Sequence, residues 1–200
     1  MKDIIERNKV SSTNELEDLV NILASSIGSL TNPTKLENTF HTVLQSKITD
    51  KTIKKYMDYL KDAFLIDVAL RYDIKGKKYI NSPMKVYFVD PGLRNARLGF
   101  RQIEETHLME NIIYTELKHR GYSVDVGLVE IRENDRSGNR VRKQLEVDFI
   151  AYKGNNKYYI QSAFSLPDES KRIALVNNCV GFGLSPFYGT QRVVVYDYPM

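Results

Sequence analysis

Apolar side chains in the first sixty residues recur every three or four positions, which is the spacing of amphipathic helices. This pattern predicts a helix over residues 15–27, a second over 34–44 and a third that begins at Asp50, a good N-cap residue. The third helix combines an apolar stripe with lysines that lie away from it. The stripe consists of Ile53, Tyr56, Met57 and Leu60, and the lysines are Lys51, Lys54, Lys55 and Lys61.

After the third helix the pattern changes from helical to extended. Residues 64–72 predict a strand, residues 73–78 a turn with one glycine and three lysines, and residues 79–81 and 86–89 further extended segments. Three helices followed by a strand, a basic turn and a strand predict a winged helix-turn-helix.

In such a fold the third helix enters the major groove and the wing contacts the DNA backbone or the minor groove. The residues predicted to face phosphates are Lys54, Lys55, Lys75, Lys77 and Lys78. Winged helices also serve as protein-docking modules, and in that case these lysines only keep a small domain soluble. The pattern favours nucleic acid slightly.

The second half predicts a separate α/β domain, with a boundary marked by the turn-forming residues 90–94. We predict a helix over 103–119 closed by Gly121, a long hairpin tip at 132–140 and a short helix over 168–176. Strands are predicted over 124–131, 144–152, 158–163 and 193–196. The order is α-β-β-β-α-β, and the predicted domains are 1–98 and 103–200.

The net charge of +4 is unevenly distributed. Residues 1–50 carry a net charge of −2, residues 51–100 carry +6, and residues 101–200 are balanced. A concentrated basic window attracts polyanions through counterion release. A solvated surface balanced by acidic neighbours explains the window equally well, so charge alone leaves the two interpretations open.

Composition excludes several classes of site and protein. One cysteine, Cys179, allows no disulfide framework or cysteine-rich zinc site, and the three histidines share no metal-ligand spacing. No apolar run reaches the ~20 residues of a membrane helix, and the charged N-terminus does not resemble a secretory signal. We therefore expect a cytoplasmic protein with no membrane partner.

Several motifs resemble the C-terminal region of bacterial and archaeal AAA-type ATP-binding proteins, a region of unknown function. They are YDIKGKK at 72–78, YFVDPGLR at 87–94, LMENIIYTEL at 108–117, RGY at 120–122, EVDFI at 146–150 and YIQSA at 159–163. The resemblance covers nearly all of residues 1–170. It implies an ATPase module, in cis or in trans, and we expect a piece of a longer protein or the product of a split gene. The sequence has no Gly-x-x-x-x-Gly-Lys-[Ser/Thr] loop to bind ATP.

The second half also resembles the PD-(D/E)XK nuclease fold, a restriction-endonuclease-like fold in which acidic side chains and a lysine surround Mg²⁺. The resemblance implies that Glu110 is the helix acid, Asp148 the strand aspartate and Gln161 the second strand ligand, thirteen residues after Asp148. Ala163 stands where the family has its lysine. Each residue also has a competing interpretation. Asp148 can be a solvated aspartate, Gln161 a hydrogen-bonded buried glutamine, and Glu110 an acid at the edge of an apolar stripe.

Loss of the lysine removes a cation near the attacking water and the developing oxyanion. We therefore expect a degenerate, inactive nuclease-like site whose only candidate cofactor is weakly bound Mg²⁺. The leading hypothesis is a DNA-binding regulatory region of an AAA-type ATPase, which can also form oligomers. The alternatives are a Mg²⁺- or Mn²⁺-dependent DNA nuclease using Glu110, Asp148 and Gln161, and a scaffold that only docks the ATPase.

Overall fold

The computed structural model describes residues 1–102, 104–134, 139–162, 185–187 and 193–197. It confirms a mixed α/β protein. The helices are α1 (Lys2–Asn8), α2 (Thr13–Ser25), α3 (Pro33–Val43), α4 (Asp50–Asp62), α5 (Pro91–Arg97) and α6 (Glu105–His119). The strands are β1 (Leu30–Thr31), β2 (Ile66–Asp73), β3 (Lys78–Phe88), β4 (Ser123–Asn134), β5 (Arg140–Lys153), β6 (Asn156–Ser162), β7 (Ser185–Phe187) and β8 (Val193–Asp197).

The chain forms two compact units, and β2, β3 and α6 each contribute residues to both. Unit 1 comprises Met1–Ala69 and Ser82–Asn111, and unit 2 comprises Leu70–Asn81 and Ile112–Met200. This division differs from the predicted ranges 1–98 and 103–200 in the placement of the β2–β3 hairpin and the start of α6. The domain ranges stay a prediction.

Unit 1 is a helical layer packed around one hydrophobic core. The apolar stripes of α2, α3 and α4 meet there, together with Val86 and Phe88 of β3. Burial of these side chains removes apolar surface from water and is the main stabilising contribution to this unit. The fully buried residues of the three helices are Leu16, Leu19, Leu23, Ala24, Phe40, Ile53 and Leu60.

Helices α3 and α4 begin at side-chain caps. The side chain of Asn32 accepts a hydrogen bond from the Lys35 amide, and Thr49 does the same for the Thr52 amide. The prediction that Asp50 is the cap of the third helix is wrong by one residue, because Thr49 has the extended backbone of a cap and Asp50 lies in the first turn. Asp50 still stabilises the helix, because its negative charge lies near the positive end of the helix dipole.

Residues 90–94, predicted as a boundary turn, begin helix α5 instead. Asp90 accepts hydrogen bonds from the amides of Gly92 and Leu93, at 2.7 and 3.3 Å, and Pro91 occupies the first helical turn. A Cβ on Gly92 would lie 2.9 Å from the Asp90 carboxylate, so the cap excludes a side chain there. Asp, Pro and Gly are common both in turns and at the start of helices, so the sequence pattern did not distinguish a boundary turn from the cap of α5.

Arg94 of α5 is almost completely buried, at 1% exposure. Its Nε donates to the carbonyl of Ala24 in the last turn of α2 at 2.7 Å, and its Nη1 donates to the carbonyl of Gln102 at 2.5 Å. Carbonyls at the end of a helix lack partners within the helix, so this guanidinium satisfies a buried acceptor and complements the helix dipole.

Unit 2 is built on a mixed sheet with the strand order β3-β2-β4-β5-β6-β8-β7. β2 runs parallel to β4, with Arg71 opposite Val126, and the pairs β4–β5, β5–β6, β6–β8 and β7–β8 are antiparallel. In unit 1, β1 pairs antiparallel with the second part of β3. On the unit 2 sheet, the ring of Phe149 packs against Tyr114 of α6, with ring centroids 6.1 Å apart.

Most predicted elements are confirmed, with shifted ends. Helices α2, α3, α4 and α6 and the strands near 64–72, 124–131, 144–152 and 158–163 all occur. The two extended pieces predicted at 79–81 and 86–89 form one strand, β3, and the arms of the long hairpin extend further into its predicted tip. The sequence did not predict α1, α5, β1 or β7. The predicted helix 168–176 lies outside the described residues.

No helix in the described part of the chain is long and apolar enough to cross a membrane.

Candidate functional site

The structure brings Asp148 and Gln161 together in unit 2. The Gln161 Nε2 donates to the Asp148 Oδ2 at 2.7 Å, and the backbone amide of Ser162 donates to the same oxygen at 2.8 Å. The backbone pairing of β5 with β6 ends at Phe149 and Ile160. Beyond that pair, the Asp148 carboxylate accepts the hydrogen bond of the Ser162 amide in place of a backbone carbonyl.

Asp148 occupies this position because β5 contains a β-bulge. The register of β5 against β4 slips between Asp125 and Gly127, so that β5 carries one extra residue at Asp148 and Phe149. Bulges re-aim side chains and end regular pairing, and they occur frequently next to functional sites.

The bulge also changes which side chains of β5 share a face. Strict alternation along the strand predicts Val147 on the same face as Phe149. That prediction is wrong, because Val147 instead packs with Ile150 and Tyr159 in one buried cluster. Gly127 permits this packing, since a Cβ at that position would lie 2.9 Å from the Val147 Cβ.

Glu110 lies in unit 1, where it forms a buried ion pair. Its Oε1 accepts from the Lys85 Nζ at 2.9 Å and from the Tyr87 hydroxyl at 2.5 Å, and the two charged side chains are 11% and 5% exposed. Alternation along β3 explains the arrangement, because Val86 and Phe88 enter the core while Lys85 and Tyr87 point to the other face.

Asn111 and Gly28, next to this ion pair, also occupy positions that suit their residue types. Asn111 Nδ2 donates to the Phe88 carbonyl at 2.7 Å and its Oδ1 accepts from the Phe88 amide at 2.9 Å, so the side chain pairs with the strand as another strand would. Gly28 has a φ of 69°, a left-handed backbone conformation that favours glycine, and it lies next to the Glu110 carboxylate.

The described donor set does not fit a resident Mg²⁺ ion. Among the residues that the structure describes, no group of three Asp, Glu, His or Cys side chains is placed to hold a metal. Mg²⁺ requires nearly octahedral oxygen coordination, but Gln161 turns its amide nitrogen toward Asp148, and Lys85 already neutralises Glu110. Ala163 lies outside the described residues. The metal role of Glu110, Asp148 and Gln161 stays a prediction.

The basic window divides into structural and surface residues. Arg71, Lys85 and Arg94 are buried and bonded within the protein, so the charge count overstates the positive surface. Lys54 and Lys55 of α4 are exposed, as are Lys75 and Lys77 of the β2–β3 turn. The side chain of Lys78 lies outside what the structure describes.

Sequence reasoning missed a polar cluster in unit 2 around Asp125. This residue is 9% exposed, and its Oδ2 accepts from the Tyr79 hydroxyl at 3.1 Å. Burial raises the pKa of Asp125, while the Tyr79 hydrogen bond and the charges of Lys118 and Lys157 partly oppose that rise. The signal in the sequence was an acid inside an apolar run, Val124-Asp125-Val126.

Lys157 lies inside a cage of three tyrosine rings in the same cluster. Its Nζ is 5.3, 5.2 and 5.1 Å from the ring centroids of Tyr72, Tyr152 and Tyr159, within range of cation–π attraction. Burial, and then the negative charge of Asp125, raise the pKa of Tyr152. Tyr152 therefore remains a neutral phenol beside the Lys157 ammonium group.

Comparison with known proteins assigns the family. The family model for a domain of unknown function, DUF8612, matches residues 1–104. The chain belongs to the DUF8612 family. It is 37% identical over 170 residues to an uncharacterized protein of Haemophilus influenzae, covering 85% of this chain and 39% of that protein. An uncharacterized protein of Methanocaldococcus jannaschii is 29% identical over 170 residues, covering 85% of this chain and 35% of the relative.

This DUF8612 chain thus spans less than two fifths of the length of the curated relatives it matches. No solved structure matches it significantly.

The buried ion pair predicts a large loss of stability on replacement of Glu110 by glutamine. The Glu110→Gln amide keeps the shape but removes the carboxylate charge that pairs with the buried Lys85 ammonium, and breaking a buried ion pair in this way costs about 3–5 kcal/mol. Urea unfolding followed by circular dichroism measures the loss. Glu116→Gln is the matched control on the same helix, because its exposed pair with Arg120 contributes at most about 0.5 kcal/mol. Equal losses in both variants would contradict the structural role of Glu110.

The raised pKa of Asp125 predicts a pH dependence of stability with a defined sign. The folded state binds the Asp125 proton more tightly than the unfolded chain, so this group's contribution to stability falls as pH rises from its ordinary value near 3.8 through the raised pKa. Asp125→Asn should therefore flatten the decline of the melting temperature over that window. The control is Asp62→Asn at an exposed position. If Asp125→Asn keeps the full wild-type slope, the assignment fails.

Proposed function

We propose that this chain is the nucleic-acid-binding region of a larger DUF8612 protein and that α4 contacts the phosphate backbone. The observation that carries the proposal is the division of α4 into two faces. Ile53, Met57 and Leu60 are buried in the core of unit 1. The exposed face carries Lys51, Lys54, Lys55 and Lys61.

The first half of α4 is the more basic half. Lys51, Lys54 and Lys55 lie at i, i+3 and i+4, so they share one face, and the exposed Lys47 precedes the helix. Asp58 pairs with Lys61 at 4.0 Å in the second half and offsets its charge. In helix-turn-helix proteins the N-terminal residues of the second helix of the motif approach the bases. Here α3 and α4 are consecutive helices, so in this proposal α4 is the second helix of the motif.

The β2–β3 turn supplies a second basic element, in the role of a wing. The Asp73 Oδ1 accepts from the Gly76 amide at 2.8 Å, and a Cβ on Gly76 would lie only 2.2 Å from the Asp73 Oδ2. Lys77 follows with a positive φ of 50°. This tight turn presents the exposed Lys75 and Lys77 to solvent in a fixed position.

Association with an AAA-type ATPase module is part of the proposal. Support comes from the motifs shared with the C-terminal regions of such proteins and from the greater length of both relatives. Under this proposal the ATPase module acts in cis or in trans, and this region places nucleic acid for it.

We further propose that the Asp148–Gln161 site is a degenerate nuclease site without catalysis. The donor set described above supports this view, and so does Ala163 at the position of the family lysine. The retained pair is the observation that favours the alternative, a metal-dependent DNA nuclease. Incubation of plasmid DNA with Mn²⁺ decides between them, since cleavage by the wild type and not by Asp148→Ala would establish the nuclease.

Neutralising two lysines of α4 should weaken binding to duplex DNA. Lys54→Gln with Lys55→Gln removes two phosphate contacts, so the slope of log K against log salt should become shallower by about 2. Fluorescence anisotropy with a labelled duplex across a salt series measures the slope.

The matched control is Lys2→Gln with Arg7→Gln, which removes the same charge from the exposed face of α1. Equal loss of affinity in both double variants would show a non-specific charge effect and contradict the role of α4. If neither wild type nor variant binds nucleic acid at low salt, the protein-docking alternative replaces the proposal.

A further inference from the structure

Tyr79 on β3 is an exposed aromatic side chain that is held in place at both ends. Its ring is 57% exposed, although the phenol group donates to the buried carboxylate of Asp125 at 3.1 Å. The ring also meets Tyr72 edge to face, with centroids 5.2 Å apart and an interplanar angle of 69°. Exposed aromatic side chains normally lose rotamer freedom on binding a ligand, but Tyr79 has already lost much of it.

The neighbours of Tyr79 in unit 2 are positively charged. Lys157 contacts the Tyr72 ring from its tyrosine cage, and Lys75 and Lys77 are exposed on the turn that leads into β3. Two acids also lie in this region: Asp125 accepts the hydrogen bond of the Tyr79 hydroxyl, and Asp73 accepts from the Gly76 amide within the turn. The exposed ring therefore has anion-binding groups beside it.

This combination selects the class of ligand. A cationic guest, such as a methylated ammonium group, would be repelled by the fixed ammonium of Lys157. A flat aromatic group attached to phosphates matches both the ring and the lysines. Nucleobases in a duplex already stack on one another, whereas unpaired bases present a free face that stacks on aromatic side chains regardless of sequence.

We propose that Tyr79 is a stacking platform for an unpaired nucleobase of single-stranded nucleic acid, and that Lys77 and Lys157 bind the adjacent phosphates. The proposal rests on the proposed nucleic-acid function and extends it, because α4 contacts duplex phosphates while unit 2 takes an unpaired strand. The Asp125–Tyr79 hydrogen bond acts here as the positioning contact for the ring.

The test compares binding of a single-stranded oligonucleotide and a duplex of the same length. Tyr79→Ala should weaken single-strand binding about tenfold, since stacking on one aromatic side chain is lost. Duplex affinity should stay within about twofold, because the duplex has no unpaired base to stack. Tyr79→Phe keeps the ring and should retain most of the single-strand affinity. Phe100→Ala, at another exposed ring, is the matched control.

A second readout follows base stacking directly and compares the wild type with Tyr79→Ala. Stacking on Tyr79 should quench the fluorescence of 2-aminopurine placed in the single strand when the wild-type protein binds it. No quenching on bound single strand, or equal effects of Tyr79→Ala on single strand and duplex, would overturn the platform.

Failure of the platform is separable from failure of the proposed function. If duplex binding depends on Lys54 and Lys55 but single-strand binding is unchanged by Tyr79→Ala, the stacking proposal is wrong and the proposed duplex binding stands. Absence of binding to either nucleic acid overturns both.

Discussion

A buried ion pair between Glu110 and Lys85 determines how the later motifs of unit 1 come together. Two charges in a low-dielectric interior are tolerated only when they neutralise each other and their remaining hydrogen-bonding capacity is met. Tyr87 supplies a further donor to Glu110, and Gly28, with its positive φ, lies beside the carboxylate. The neighbouring Asn111 fixes the middle of α6 to the backbone of β3. The helix, the strand and the turn at Gly28 are thus positioned by one polar cluster.

The motifs that carry the family resemblance act largely as folding devices. Asp90, Pro91 and Gly92 begin α5, and Arg94 satisfies a carbonyl at the end of α2. Glu110 and Asn111 join α6 to β3. The lysines of α4 that are proposed to contact phosphates lie outside these motifs and are exposed. Lys75 and Lys77, by contrast, belong to the motif at 72–78, so that motif combines a tight turn with exposed basic side chains.

The sequence predicted elements well where periodicity is strong, as in α2, α4 and β5. The nuclease resemblance assigned Asp148 and Gln161 to one site, and the two side chains do form a hydrogen bond, while their role as metal ligands stays a prediction. The sequence did not predict the bulge at Asp148, since an extra residue changes the face of every residue beyond it without altering local composition. It also missed the partner of Glu110, because an ion pair between residues 25 positions apart depends on tertiary packing. The Asp125 cluster was missed for the same reason, as its tyrosines come from distant strands.

Native-state hydrogen exchange at two amides tests the central claim that the polar cluster holds unit 1 together. The Phe88 amide donates to the Asn111 side chain, and the Gly28 amide donates to the Val86 carbonyl at 3.2 Å. The account predicts that both exchange only through global unfolding of the unit, with the slowest amides of α2 and α4. The exposed Gly76 amide, bonded to Asp73 in a surface turn, provides the fast reference. Exchange of Phe88 and Gly28 at a rate close to that of Gly76 would contradict the account.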